Sequence, residues 1–394
     1  MRLFPFTLAL LLPCSAAFGD ELATAQAECF DDTLPAETMI GACAAAMLYA
    51  TEDTDIAEAA NQRGALRQVQ GNLEGAIQDY EVAAELAPQD MVPHYNLFLV
   101  HDELDNTDAA LASAQAAIMA QPDRPLSYSP MMALSVRNND AEQCAPIMTA
   151  VLDLVPDPAG WGEAAEGDYW FMTNLGDCLY FHERDELAMA AYETAVALGH
   201  DDAYVYLSMA LTHFYLGQMD EVESDARAAL DRDPTYLYPL DPLVNAYLAE
   251  GRYEDVTAVL AEFAPALDAS DNDVEVRNNM AWRMFVNGEV DMAIPIMEAW
   301  LAWAEPRMDD QPYPFGNSFD TIAHLRAATG DTEGAAEAFR LAFEHYESPE
   351  AARANYRPTL AALGYEVGEG DAAILEALDA CAATGPACRL IPEG

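Results

Sequence analysis

The chain has 394 residues, with 68 acidic side chains against 17 basic ones, every one of them arginine, for a formal net charge of −51 at pH 7. Apolar types make up 52%, the share of a folded protein and not of a charge-rich disordered chain. The charge argues against non-specific binding to nucleic acid or an anionic membrane surface, and the absence of lysine removes Schiff-base and P-loop lysine chemistry.

Residues 1–19, MRLFPFTLALLLPCSAAFG, have the layout of a secretory signal: Arg2, an apolar stretch from Leu3 to Leu12, then small residues, with cleavage expected after Ala17-Phe18-Gly19. A lipoprotein signal ending at Cys14 is the rival reading, and Pro13 stands where that motif wants a small residue. The stretch is too short for a permanent membrane span, and no later run approaches the ~18 apolar residues one needs. A periplasmic or secreted protein is therefore expected. Six cysteines remain after the signal: Cys29, Cys43, Cys144, Cys178, Cys381 and Cys388. An even number in an oxidising compartment suggests three bridges, of 15 possible pairings. Sequence proximity favours Cys29 with Cys43 and Cys381 with Cys388, leaving Cys144 for Cys178. No CxxC spacing or neighbouring histidine cluster points to metal instead.

Residues 20–56 read as a helical N-terminal cap pinned across Cys29 and Cys43. Beyond it, Pro88, Pro122 and Pro156 recur 34 residues apart, each closing an alanine-rich amphipathic stretch. QRGALRQVQGNLEGAIQDYEVAAELAP in particular resembles a tetratricopeptide (TPR) repeat. A 34-residue frame laid along the chain starts repeats at Ala57, Met91, Pro125, Tyr169, Ala203, Leu237, Val274 and Gly316, ending at 349, with short insertions at 159–168, 271–273 and 308–315. The family keeps small residues at repeat positions 8, 20 and 27, where paired helices approach closely. Gly or Ala fills 15 of those 24 positions here, several times what composition would supply. Repeats three and six fill none and should pack differently. Gly71, Gly217, Gly251, Gly288 and Gly330 mark the turns between helices, where a left-handed backbone costs glycine no Cβ clash. The resemblance implies an all-α, right-handed superhelical solenoid of about eight helix hairpins, because a lone hairpin cannot bury its apolar face. A helical C-terminal cap over 350–394 is expected, with Pro358 breaking one segment and a helix from Ala372 to Ala383 N-capped by Asp371 and tethered by Cys381–Cys388.

Catalytic signatures are missing. HExxH, GxSxG and GxGxxG do not occur. Asp268, Asp271, Asp273 and Glu275 form an acidic loop, but Val276 replaces the EF-hand glycine and no glutamate closes the loop. No cofactor, metal or catalytic residue is assigned. His213, at an apolar repeat position, reads as a core histidine with a satisfied partner.

In the TPR fold the first helix of each repeat lines a concave groove through positions 2, 5, 6, 9, 12 and 13. Carried over, the resemblance implies a partner-binding face of Tyr95, Asn96, Trp170, Asn174, Tyr180, Tyr204, Tyr215, Tyr238, Asn279 and Trp282. Phe181, Phe214, Asn245 and His324 share those positions, with Phe214 expected in the core. The cations with which some members clamp a carboxylate are absent, positions such as Asn61 and Val92 standing there instead. The expected function is a non-enzymatic, exported scaffold that binds a protein or peptide; the acidity suits either a partner of basic character or solubility in saline surroundings. The competing expectation is an envelope hydrolase or carbohydrate-handling enzyme using groove carboxylates.

Overall fold

The computed structural model describes residues 14–269, 274–304, 315–346 and 348–390. Residues 1–13, most of the expected export signal, lie outside them, as do the core of the acidic loop and most of the insertion at 308–315. Among the described residues there are helices and connecting turns and no strand. The chain divides into two compact units, Met1–His200 and Asp201–Gly394.

In the first unit, α1 (Cys14–Cys29) and α2 (Ala36–Tyr49) form a hairpin joined by the Cys29–Cys43 bridge. It is packed with alanine: Ala25, Ala42 and Ala46 are buried together with Ala59 of the next helix. That helix, α3 (Asp53–Val69), pairs with α4 (Leu73–Leu86), and α5 (Met91–Glu103) pairs with α6 (Thr107–Ala120). The helix α3 begins four residues before Ala57, inside the segment expected to be a separate cap. The third repeat is irregular. A 3-10 turn at Pro125–Tyr128 precedes a short α7 (Ser129–Arg137), which meets α8 (Ala141–Leu154). Met132, Cys144 and Val151 occupy its close-approach positions and are all buried. The Cys144–Cys178 bridge then ties α8 to a later helix, with Cα atoms 5.4 Å apart. The insertion at 159–168 contains the single turn α9 (Trp161–Ala164), whose Trp161 is buried and donates its indole N–H to the Val155 carbonyl. The pair α10 (Tyr169–Phe181) and α11 (Asp185–Ala197) completes the unit.

The second unit opens with α12 (Ala203–Tyr215) and α13 (Met219–Arg232). In the sixth repeat the first helix, α14 (Leu240–Ala249), starts three residues after Leu237 and is short, and α15 (Tyr253–Ala269) is long. Then come α16 (Val274–Val286) with α17 (Val290–Ala304), and α18 (Gly316–Thr329) with α19 (Thr332–Glu344). Two helices end the chain, α20 (Pro349–Ala362) and α21 (Asp371–Ala382), with a 3-10 turn at Gly385–Ala387 and the Cys381–Cys388 bridge. Successive first helices α14, α16 and α18 lie against one another, so one apolar core runs from Ala210 to Leu390.

Two expectations for this end need correction. Pro358 lies inside α20 and does not break it. Pro358 and Ala354, whose carbonyl loses its intrahelical donor, are both exposed, so that carbonyl faces solvent and the break is avoided. Asp371 is the first residue of α21, and Gly370, with φ of 92°, is its N-cap. The Asp371 carboxylate is turned to Arg353 of α20, at 2.7 Å, instead of to the helix's own N–H groups.

Candidate functional site

In the first unit the positions expected to form an inner row fall on α3, α5, α7 and α10. Side chains there reach across helices. Asn96 donates its amide to Asn61 Oδ1 at 2.9 Å, joining α5 to α3. The Tyr95 hydroxyl donates to Asp168 Oδ2 at 2.6 Å, while Asp168 Oδ1 caps α10 by accepting the Phe171 N–H. Burial, then the Asp168 charge, pushes the Tyr95 phenol far above its usual range, against a hydrogen bond from Ser129, so it stays neutral and can donate to Asp168. Trp170 is 45% exposed. Its ring lies 4.5 Å from that of His200 and 5.7 Å from that of Tyr169, and the latter two stack at 4.7 Å. His200 is buried, with Nδ1 held 2.7 Å from Thr173 Oγ1. Trp170 is thus an exposed aromatic face on an ordered aromatic base. Asn174 and Tyr180, further along α10, are half-buried.

In the second unit α12, α14, α16 and α18 supply the row. Tyr215 is 64% exposed and meets Phe214 edge-on at 6.0 Å. Tyr204 helps to line a cavity of about 360 Å³ with Asp201, Asp202, Arg232, Asp233 and Tyr236. Arg232 is fixed there, its guanidinium 3.7 Å from the Tyr206 ring centroid and its Nε 2.5 Å from Asp201 Oδ1. Tyr238 is exposed and leans on Tyr236 at 5.4 Å. Asn279 is exposed, whereas Trp282 is half-buried against Phe285 and His324. Phe214 is half-buried and packs against the core, and His213 sits 2.7 Å from Asp225 Oδ2.

Two inner-row candidates turn out to be interior. Asn245 is buried, and His324 is wholly so. The His324 Nε2 accepts the Leu390 N–H at 3.1 Å, so Nδ1 carries the ring proton and donates it to the Asp320 carbonyl at 2.7 Å. Position alone cannot foresee this, because the group that covers His324 comes from the far end of the chain.

Asp241 and Asp320 are both pushed upward by burial. Asp320 accepts from the Tyr356 hydroxyl at 2.7 Å. Asp241 Oδ1 is buried without a hydrogen-bond partner, while nearby Arg283 and an Asn245 hydrogen bond oppose the upward shift. Among the described residues no group of three or more metal-ligating side chains converges, and no helix is long and apolar enough to cross a membrane.

Sequence reading missed His200, Tyr169 and Asp168, which organise the Trp170 cluster. Of these only Asp168 carries a local signal, as an aspartate just before an apolar helix.

No family model matches the sequence, and no curated protein does. Among solved structures, PilF of Pseudomonas aeruginosa is similar at TM-score 0.44 and 13% identity, covering 57% of this chain and 98% of that one. PilW, a widely conserved type IV pilus biogenesis factor, is similar at TM-score 0.45 and 17% identity, covering 56% and 98%. YrrB, a TPR protein with an unusual peptide-binding site, gives TM-score 0.34 and 13% identity, covering 50% and 94%.

Proposed function

We propose that this chain is an exported, non-enzymatic scaffold that binds a protein or peptide along the inner row of its first helices. The observation that carries the reading is the pair of exposed aromatics, Trp170 and Tyr215, each resting on another ring at an inner-row position. Large apolar rings left in solvent cost free energy that a partner recovers by covering them, and Trp and Tyr dominate binding hot spots. Asparagines at inner-row positions, Asn174 in the first unit and Asn279 in the second, each offer donors and acceptors to a peptide backbone. Export is supported by the signal-like start and by three disulfides, which persist in oxidising compartments. A partner of basic character fits a net charge of −51, which attracts cations over a Debye length of about 8 Å at physiological salt.

The test is crosslinked capture from the native envelope with the wild type and with Trp170→Ala and Tyr215→Ala chains. Truncating a hot-spot aromatic costs at least about 2 kcal/mol, so capture should fall by more than about tenfold in each. Unchanged capture by both folded variants would remove the inner row from the binding surface.

A further inference from the structure

The C-terminal residues of the second unit fold back onto two of its own first helices. After α21 the chain reverses through Gly385–Ala387, is clamped by Cys381–Cys388, and lays Arg389 and Leu390 across α16 and α18. Three contacts of different kinds hold this pair. The Leu390 N–H donates to His324 Nε2 at 3.1 Å. The Arg389 guanidinium stands 5.0 Å from the centroid of the Phe285 ring. The Leu390 side chain is buried while Arg389 remains exposed. The groups that receive the Leu390 N–H and the Arg389 guanidinium belong to one aromatic block, in which Trp282, Phe285 and His324 lie 5.2 to 5.4 Å from each other, centroid to centroid, while the Leu390 side chain joins the apolar core of the unit.

A main-chain hydrogen bond, a cation on an aromatic face and an aliphatic side chain in a buried seat are the components with which a groove recognises an extended peptide. The acceptor is fixed in advance, because the Asp320 carbonyl holds the ring proton on Nδ1 and leaves Nε2 bare. The site is also selective for charge, since the quadrupole of Phe285 attracts a cation and the acidic chain repels an anion.

We propose that the Trp282–Phe285–His324 block is a recognition site for an arginine followed by an aliphatic residue in a partner protein, and that Arg389 and Leu390 fill it in cis. The partner class deepens the scaffold reading above and rests on it. Tethering gives the internal pair a high effective concentration, so a partner segment binds only when it brings further contacts or when the tail is released. Anchoring of the tail by Cys381–Cys388 makes that release depend on the bridge.

Fluorescence anisotropy with a labelled Gly-Ala-Ser-Arg-Leu-Gly peptide tests this, using the full chain. The Arg389→Ser/Leu390→Ser chain should bind the peptide at least about tenfold more tightly than the wild type. Adding Phe285→Leu, which keeps the core filled but removes the ring, should abolish the gain, as should replacing the peptide's arginine with glutamate. The Cys381→Ser/Cys388→Ser chain, which retains the pair but unties it, should show an intermediate gain and covers the case in which the first variant misfolds. Equal binding by the wild type and both opened chains, or equal binding of the glutamate peptide, overturns the proposal. Envelope capture run in parallel separates the two readings. An opened chain that ignores the peptide yet still captures its partner through Trp170 overturns the arginine–aliphatic assignment alone. One that binds the peptide while capture ignores Trp170 and Tyr215 overturns the wider reading and leaves this one standing.

Discussion

Gly64 and Gly176 occupy the same place in two repeats, and each faces a tyrosine of the following helix. A Cβ on Gly64 would meet the Tyr80 ring at 2.7 Å, and one on Gly176 would meet the Tyr192 ring at 2.4 Å. Both rings are buried, and both hydroxyls are used, Tyr80 donating to Gln68 and Tyr192 to Asp177. Burial and the neighbouring Asp79 push the Tyr80 phenol up to about 12, so it remains a donor. Alanine has the better helix propensity by about 1 kcal/mol, but overpacking a close contact costs about 1–3 kcal/mol. Gly176→Ala should therefore lose up to about 2 kcal/mol in urea denaturation. Gly41→Ala, with nothing near its added Cβ, should gain up to about 1 kcal/mol. Two equal outcomes would mean that the rings yield. The need for a small residue at these positions is legible in the sequence, since volume is a property of residue type. The tyrosine that exploits the space is not, because the pairing exists only once two helices meet.

The acid excess does structural work at the level of elements. Asp90, Asp140, Asp168, Asp202 and Asp331 each accept a backbone N–H at the start of a helix, where the macrodipole also favours negative charge. Asp79 holds both Arg63 and Arg67, binding α4 to α3. Between α18 and α20 the link is Asp320, which accepts from Tyr356 while Asn355 donates to Tyr346. Burial raises the Asp320 carboxyl above its ordinary 3.8, against the pull of His324 and the Tyr356 hydrogen bond. A folded state that binds the proton more tightly than the unfolded one is stabilised by it at low pH. That contribution is present below about pH 4 and is lost as pH rises through the folded value. In Asp320→Asn the side-chain oxygen still accepts from Tyr356, but nothing ionises. The wild type should therefore melt progressively lower relative to Asp320→Asn as the pH rises from about 4 through the raised folded value. A pH-independent difference in Tm would show that the fold does not raise the Asp320 carboxyl. Helix starts of this kind are readable from an aspartate before an apolar run. The fate of Pro358 was not, because a proline's cost depends on whether the carbonyl it orphans faces solvent.

For the whole molecule, periodicity carried the all-α hairpin architecture, since a repeat of 34 residues with small side chains at fixed places specifies how neighbouring helices approach. The binding face is less legible. Position in the frame distinguishes exposed Trp170, Tyr215 and Asn279 from core residues only on average. It cannot know that Arg389 and Leu390 return to cover His324, or that Asn96 is engaged by Asn61. The charge of −51 then sets which partners approach, whatever the local contacts. The central claim is that partners are held by the first helices of each hairpin and not by the second. Photo-crosslinking tests it directly, with a crosslinker placed at Trp170 or Tyr215 on the first helices and at exposed Glu193 or Glu221 on the second. Adducts to one and the same envelope protein should form from Trp170 and Tyr215 and not from Glu193 or Glu221. Adducts formed as readily from Glu193 and Glu221 would contradict the assignment.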